Sequence, residues 1–294
     1  MKFNQYHDIK KFYDDVYENL KTHESQNMIL MGNVKMGYEG KMTHDWRNPA
    51  EWVMATVTDD EKIFLTALMT PPFGITLYAT DNLIDNKVLN CLVDGLEVAG
   101  ISVPRVMSEK ELATAFATIY TEKFGLDSEV RMNLRIYELV EVNPEIPQVG
   151  SLRLLSEKDM AYFPYWVEAM HTVAFDTQRE VGDDLEPYLR SVNSGNDYVL
   201  EVDGTPVTMA KISREMEDVC GIAMVFTPPY FRGRGYASSI VAKVSQVGLD
   251  RGFKKCVLYT DLSNPTSNSI YQKIGYVPLC DSVEIKFVGV EDEV

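Results

Sequence analysis

Val225-Phe226-Thr227-Pro228-Pro229-Tyr230-Phe231-Arg232-Gly233-Arg234-Gly235-Tyr236-Ala237-Ser238 runs from the end of a buried strand into the start of a helix. The strand is Asp218 to Phe226, and Ala237 to Leu249 carries apolar residues at helical spacing. The first turn of a helix leaves backbone N–H groups without partners. Its aligned peptide dipoles add partial positive charge, so such a joint suits an anion such as a pyrophosphate. Gly233 and Gly235 let the backbone approach closely, because they carry no Cβ and adopt positive φ at little cost. The stretch lacks the G-x-x-x-x-G-K-[ST] spacing of a nucleotide-triphosphate loop. As G-x-G-x-x-G it fails at Ser238.

A second motif lies downstream. Lys255 to Thr260 alternates as a strand and leads into Asn264-Pro265-Thr266-Ser267-Asn268-Ser269-Ile270-Tyr271-Gln272-Lys273-Ile274-Gly275-Tyr276. Read as Arg-x-x-Gly-x-Ala, Arg232 to Ala237 resembles the acyl-CoA-binding turn of the GNAT N-acetyltransferase superfamily. Asn264, Ser267 and Tyr271 resemble that superfamily's segment after its fifth strand, in which an asparagine opens a short helix and a tyrosine precedes a Gly-aromatic exit. The two motifs stand in the family's order, one helix and one strand apart, and the resemblance covers roughly Ser151 to Val288.

The resemblance implies acetyl-CoA as cosubstrate and an amine-bearing acceptor. The pyrophosphate would lie against the backbone amides of Arg232, Gly233, Arg234, Gly235, Tyr236, Ala237 and Ser238. The pantetheine arm would pair with backbone groups of Met224, Val225 and Phe226, freed where the fourth and fifth strands splay. Pro228 and Pro229 fit this, since prolines end a strand. A backbone N–H of Val225 or a neighbour would polarise the thioester carbonyl. Tyr271 would be the general acid toward the leaving sulfur; its other reading is as a packing residue. A phenol with a pKa of about 10 is protonated at neutral pH, as a proton donor must be. Asn264 and Asn268 are coenzyme or acceptor ligands, or helix caps. Arg232 and Arg234 reach phosphates or solvent. The strand Val219 to Phe226 holds no carboxylate, so a side-chain base would have to come from Glu215, Glu217 or Asp218 at its entrance.

Composition bounds the rest. At 294 residues two domains are expected, and 45% hydrophobic residues are ample for packed cores. A net charge of −16 without a basic stripe argues against nucleic acid and is compatible with a cationic amine. No apolar run is long enough to cross a bilayer, and Met1-Lys2-Phe3-Asn4-Gln5-Tyr6-His7 lacks the apolar core of a signal peptide, so a cytoplasmic protein without membrane partners is expected. Cys91, Cys220, Cys256 and Cys280 form no C-x-x-C pair, and no metal site is expected. A homodimer is compatible with all of this.

The first half reads as its own mixed unit. Lys10 to Leu20 is a helix; Trp52 to Val57, Ile63 to Met69 and Thr76 to Thr80 are strands, the first two joined by Thr58-Asp59-Asp60-Glu61. Ile84, Val88, Leu92 and Leu96 mark one face of a helix between Asn82 and Ala99. Ser108-Glu109-Lys110-Glu111 reads as a capping box for another helix, and Arg131 to Val140 as a strand. Met69-Thr70-Pro71-Pro72-Phe73 echoes Phe226-Thr227-Pro228-Pro229-Tyr230, either by duplication or by coincidence, but no Arg-Gly-x-Gly follows it. Asn143 to Gly150, with two prolines and a glycine, is the expected boundary. Beyond it come a strand, Leu152 to Leu155, and a helix capped by Ser156-Glu157-Lys158-Asp159. Tyr162, Phe163, Tyr165, Trp166, His171 and Phe175 cluster there, as an acceptor wall or as core. Tyr198 to Val202 and Pro206 to Ile212 form a hairpin across Asp203-Gly204.

The expected architecture is α/β (α+β), with two GNAT-like domains, each a mixed, mostly antiparallel twisted sheet flanked by helices. Residues 1–142 would lack a coenzyme turn, 143–150 would link, and 151–294 would be the acetyltransferase. The expected function is acetyl-CoA-dependent N-acetylation of a primary amine by direct attack on the thioester. The competing reading is a non-catalytic acyl-CoA-binding regulatory protein; a transferase of amino-acid or long acyl groups is disfavoured by so complete a turn.

Overall fold

The computed structural model describes residues 1–40, 48–60, 62–175 and 180–290, without the side chains of 174 and 175. Glu61 of the expected polar turn and the Phe175 side chain lie outside the described residues. The chain forms two compact units, one of 1–136, 260–263 and 279–294, the other of 137–259 and 264–278.

In the first unit the elements are β1 (Lys2–Tyr6), α1 (Ile9–Lys21), α2 (Met28–Tyr38), β2 (Val53–Asp59), β3 (Lys62–Met69), β4 (Ile75–Ala79), α3 (Asn86–Val98), β5 (Arg105–Glu109), α4 (Lys110–Phe124) and the start of β6 (Asp127–Leu139). The second unit takes the end of β6, then β7 (Ser151–Leu154), α5 (Phe163–Phe175), α6 (Glu186–Ser194), β8 (Asp197–Val202), β9 (Thr205–Ser213), β10 (Val219–Phe226), α7 (Tyr236–Asp250), β11 (Lys255–Asp261) and α8 (Pro265–Ile274). The last strand is β12 (Val277–Val288). The strands expected from alternation all form; of the expected helices, the one capped by Ser156 is a short 3-10 turn, Glu157–Ala161, with α5 beginning only at Phe163, and Ile84 lies outside α3 and is exposed. Among the described residues no helix is long and apolar enough to cross a membrane.

Strand order in the first unit is β1-β2-β3-β4-β5-β12-β6. Strand β12 pairs antiparallel with β5, from Ser282↔Glu109 to Lys286↔Arg105. Its Phe287 is fully buried against Phe116 and Tyr120. The chain's last strand, expected with the second half, thus completes the core of the first unit. The stretch Asn143 to Gly150 is likewise no free linker. Asn143 N donates to Ile274 O at 2.8 Å. Val149 both donates to and accepts from the buried Ser239 hydroxyl, at 2.9 and 2.8 Å, which ties the stretch to α7.

Two local expectations change. Ser108 does not cap α4: it lies in β5, where its hydroxyl donates to Leu77 O at 2.6 Å, and Glu109 takes the cap position, accepting from Leu112 N. The strand continues one residue further than the capping box allows, because Ser108 and Glu109 are paired by β12. The Thr-Pro-Pro echo is also resolved. Its first copy joins β3 to β4, which are antiparallel neighbours, whereas the second joins a strand to a helix. The two copies are not equivalent, so the resemblance is coincidence.

In the second unit the order is β6-β11-β10-β9-β8-β7. One face carries Tyr198, Leu200, Ala210, Ile212, Cys220, Ile222, Cys256 and Leu258 in a core with α7 and α8. The other face carries Val199, Met209 and Phe226 against Phe163, Trp166 and Tyr188 of α5 and α6. Strand alternation separates these two layers.

Candidate active site

Gly235 caps α7 in the left-handed region, φ 78°, and no side chain accepts from the first helical amides. Gly233 is also left-handed, φ 76°. Beside both glycines the direction a Cβ would take opens on free space. Ser239 N makes the first helical hydrogen bond, to Gly235 O at 3.0 Å, so the amides of Tyr236, Ala237 and Ser238 precede the helical ladder. Residues 232–235 are exposed. Arg232 folds back on the turn, its Nε donating to Thr227 O at 3.0 Å.

The first unit supplies an internal contrast. Its helix α3 also follows a strand paired in parallel with the next, β4 with β5. There the helix end is capped by Asp85, whose carboxylate accepts from Lys87 N at 2.8 Å. A carboxylate already on those amides repels a phosphate. An uncapped, glycine-bordered helix end is found at α7 and not at α3.

Strands β10 and β11 pair in parallel from Val219↔Lys255 only as far as Gly221↔Val257. On its other side, β10 pairs with β9 at Ala223↔Lys211 and next at Phe226↔Met209, so one extra residue is inserted in β10. Met224 takes a positive φ of 55° within this bulge. Met224 and Val225 are therefore off both ladders, and their backbone groups are available to a ligand. Phe226 is the most engaged of the expected trio: its carbonyl accepts from the Thr208 hydroxyl at 2.8 Å, and its ring is buried with Trp166, centroids 6.4 Å apart. Thr208 was not visible as a site residue; its signal is only a threonine in an apolar strand. Val225, Phe231 and Tyr236 pack against the same core cluster as Tyr271, while Met224 and Phe226 join the opposite layer.

Helix α8 begins at Asn264, whose side chain accepts from Ser267 N at 3.0 Å. Of its two sequence readings, the cap is the one the geometry displays. Asn268 donates to Asn264 O at 2.8 Å and accepts from the Tyr137 hydroxyl at 3.0 Å. Tyr137, at the end of β6, stands with its ring centroid 6.3 Å from that of Tyr271. Tyr271 is buried, and burial pushes its phenol up to about 12, with the Ser267 side chain pulling the other way. Such a phenol keeps its proton throughout the neutral range.

The helices facing Phe226 are held by a buried carboxylate. Asp159 accepts from Arg153 at 2.7 and 2.8 Å, from Ser156 N at 2.8 Å and from the Tyr162 hydroxyl at 2.7 Å. Burial alone would raise its pKa, but Arg153, Tyr162 and Ser156 together hold it well below the ordinary carboxylate range. Asp159→Asn is expected to remove about 3 kcal/mol of stability at neutral pH in urea denaturation, since it leaves Arg153 without its main partner. A depressed pKa contributes stability above the unfolded value of about 3.9 and loses it as pH falls. The gap between wild type and variant should therefore begin to narrow below about pH 4 and keep narrowing as pH falls further; a pH-independent gap would assign the effect to packing.

Two of the three candidate bases at the strand entrance are held in ion pairs. Glu215 pairs with Arg251 at 3.0 Å and Asp218 with Lys254 at 2.8 Å, at the opposite end of β10 from the glycine turn. Among the described residues no cluster of three or more His, Cys, Asp or Glu is placed to hold a metal.

Residues 157–276 match the family model described as Acetyltransferase (GNAT) family. No curated protein matches the sequence. Among solved structures, a Drosophila protein aligns over 97% of this chain and 98% of its own, at TM-score 0.66 and 12% identity. A GCN5-related N-acetyltransferase from Sphaerobacter thermophilus aligns over 97% and 95%, at TM-score 0.62 and 15% identity. An acetyltransferase from the GNAT family of Colwellia psychrerythraea aligns over 98% and 99%, at TM-score 0.59 and 9% identity. At such identities the likeness is one of fold, and it extends over both halves of the chain.

Proposed function

The C-terminal half carries a GNAT acetyltransferase domain, and on that footing we propose that the protein transfers an acetyl group from acetyl-CoA to a primary amine. The observation that carries this reading is the uncapped end of α7, bordered by Gly233 and Gly235, beside the bulge that frees Met224 and Val225. In this reading the amides of Arg232 to Ser238 hold the pyrophosphate, and Met224 and Val225 hold the pantetheine. Residues 1–142 make a GNAT-like domain that does not take the coenzyme, a role supported by the Asp85 cap on α3.

The neutral amine attacks the thioester carbonyl, and the Val225 N–H stabilises the charge that develops on oxygen. The new C–N bond forms as the C–S bond breaks. The electron pair leaves with sulfur, which takes the Tyr271 proton, and the amide nitrogen loses its surplus proton to water. Holding amine and thioester in line supplies much of the acceleration. With Glu215 and Asp218 ion-paired, no side-chain base is assigned, and the amine enters as the free base.

Calorimetric titration with acetyl-CoA tests the reading directly, followed by thiol release with amines. Saturable binding with a stoichiometry near one per chain is expected. Failure of the wild-type chain to bind acetyl-CoA would remove the acetyltransferase reading.

A further inference from the structure

Strand β1 closes one end of the sheet. Among the described residues its one strand partner is β2, paired without interruption from Lys2↔Thr58 to Tyr6↔Met54. The outer edge of such a strand leaves backbone N–H and C=O groups unpaired, a template for a further strand. Prolines and bulges commonly guard an edge, and Lys2–Tyr6 holds neither; Lys2 is its one charged side chain.

Helix α3 lies along this edge. Phe3 packs so closely on Gly95 that a Cβ there would stand 2.2 Å from the ring, so the missing side chain lets the helix settle onto the strand. Between β1 and α3 runs an open groove of about 850 Å³, lined by Phe3, Cys91 and Gly95 and, along the helix, by Lys87, Asp94 and Val98. Phe3 and Cys91 are partly buried against the first core. Val98 is 88% exposed, an apolar side chain left in water at the end of the helix. Lys87, Cys91, Asp94 and Val98 recur every three or four residues and so form one helix face, the one that lines the groove.

We propose that a second copy of this chain docks here, β1 against β1 about a two-fold axis, with the two α3 helices side by side. The assignment does not depend on the acetyltransferase reading. An axis perpendicular to the sheet makes the two edge strands antiparallel and keeps both helices on one face. Spacing favours this occupant. Neighbouring strands lie about 4.8 Å apart, and α3 packs on both β1 and β2, so its axis stands about 2.4 Å inside the edge. Two copies joined edge to edge therefore set their α3 axes about 10 Å apart, a distance at which helices pack directly. A lone peptide strand would fill the floor of the groove and leave the Val98 flank in water; a second α3 covers it.

Charge agrees. Each copy carries −16, which opposes self-association in general. The groove holds Lys87 against Asp94, and Asp94 is already paired with Lys123. Two acidic chains thus meet there without an excess of like charge. About 17 Å of strand beside about 17 Å of helix buries on the order of 1,000 Å², near the lower limit of specific interfaces, so the dimer is weak and reversible.

Sedimentation velocity of the full chain between about 1 and 100 μM tests the assignment, with a monomer–dimer equilibrium expected in that range. The dimer should tighten as salt rises from about 0.05 to 0.5 M, because screening weakens the repulsion between two chains of −16. Val98→Glu sets a carboxylate on each side of the seam and should weaken the dimer at least about tenfold. Since Val98 is exposed, the variant should keep the wild-type circular dichroism spectrum and melting curve. Hydrogen exchange of the Lys2–Tyr6 amides should slow with rising concentration in the wild type and not in the variant. A wild-type chain still monomeric at about 100 μM, a dimer indifferent to Val98→Glu, or exchange at β1 that ignores concentration would each overturn the assignment. So would a dimer that weakens with salt, since that requires an attraction between charges which this seam does not carry.

Discussion

Gly235→Glu is expected to weaken acetyl-CoA binding by at least about 100-fold in calorimetry, through two effects that add. The first is backbone strain: Gly235 is held at φ 78°, and a side chain there costs about 1–2 kcal/mol. The second is electrostatic. Hydrogen bonds from backbone amides to a charged group contribute about 1.5–3 kcal/mol each. A glutamate at the helix end competes for the same amides and repels the pyrophosphate, as Asp85 occupies the end of α3. Together these remove about 3–5 kcal/mol, which is more than two decades of affinity. Gly235→Ala carries the strain without the charge and should lose only about tenfold. The direction of a Cβ at this position is open, so neither substitution meets a neighbour and both variants should fold. A glutamate variant that binds like the wild type would detach the turn from the coenzyme.

Tyr271→Phe is expected to lower kcat by about 10²- to 10⁴-fold, the range typical of a lost general acid, with acetyl-CoA affinity unchanged. The ring itself is embedded between Tyr137 and Tyr276, with centroid distances of 6.3 and 6.0 Å, and phenylalanine preserves that packing. The change thus isolates one hydroxyl. Because burial pushes the phenol up to about 12, the acid form persists through the whole range of an ordinary assay. The kcat profile should show no alkaline fall from Tyr271 below about pH 10. Stability follows the same sign. A folded-state pKa raised above the unfolded value of about 10 contributes stability below that value and loses it as pH rises toward 12. The phenylalanine variant has no such titration, so it should lose less stability than wild type above pH 10. Full turnover by Tyr271→Phe would reduce the tyrosine to a packing residue and reopen the non-catalytic acyl-CoA-binding reading.

The contrast between α3 and α7 bears on how two similar units come to differ. Both helices follow the strand at which a parallel pair opens. In the first unit the opening is bridged, with the Ser108 hydroxyl on Leu77 O, and the helix end carries its own carboxylate. In the second the bulge at Met224 leaves the strand unbridged, and Gly235 leaves the amides uncapped. Two or three side chains at equivalent places thus separate a capped helix end from an uncapped one.

The glycine turn, the helix after it, the Asn264 cap and most strands were legible in the sequence, because each depends on neighbouring residues. Positive φ at Gly233 and Gly235, the capping reach of Asn264 to Ser267, and alternation along a strand are local properties. What only the tertiary structure decided depends on residues far apart in the chain. The membership of β12 in the first unit rests on contacts such as Ser282 to Ser108, 174 positions apart, and no local period announces it. That same pairing moved the start of α4 from Ser108 to Glu109. The bulge at Met224 is a mismatch of count between β10 and β9, invisible until the two are laid side by side. The hydrogen bond from the Thr208 hydroxyl to the Phe226 carbonyl likewise joins two strands and shows only in the fold. Hydrogen-bond satisfaction is a property of neighbours in space and not of neighbours in sequence, so which groups of a strand are engaged shows only once the fold is formed.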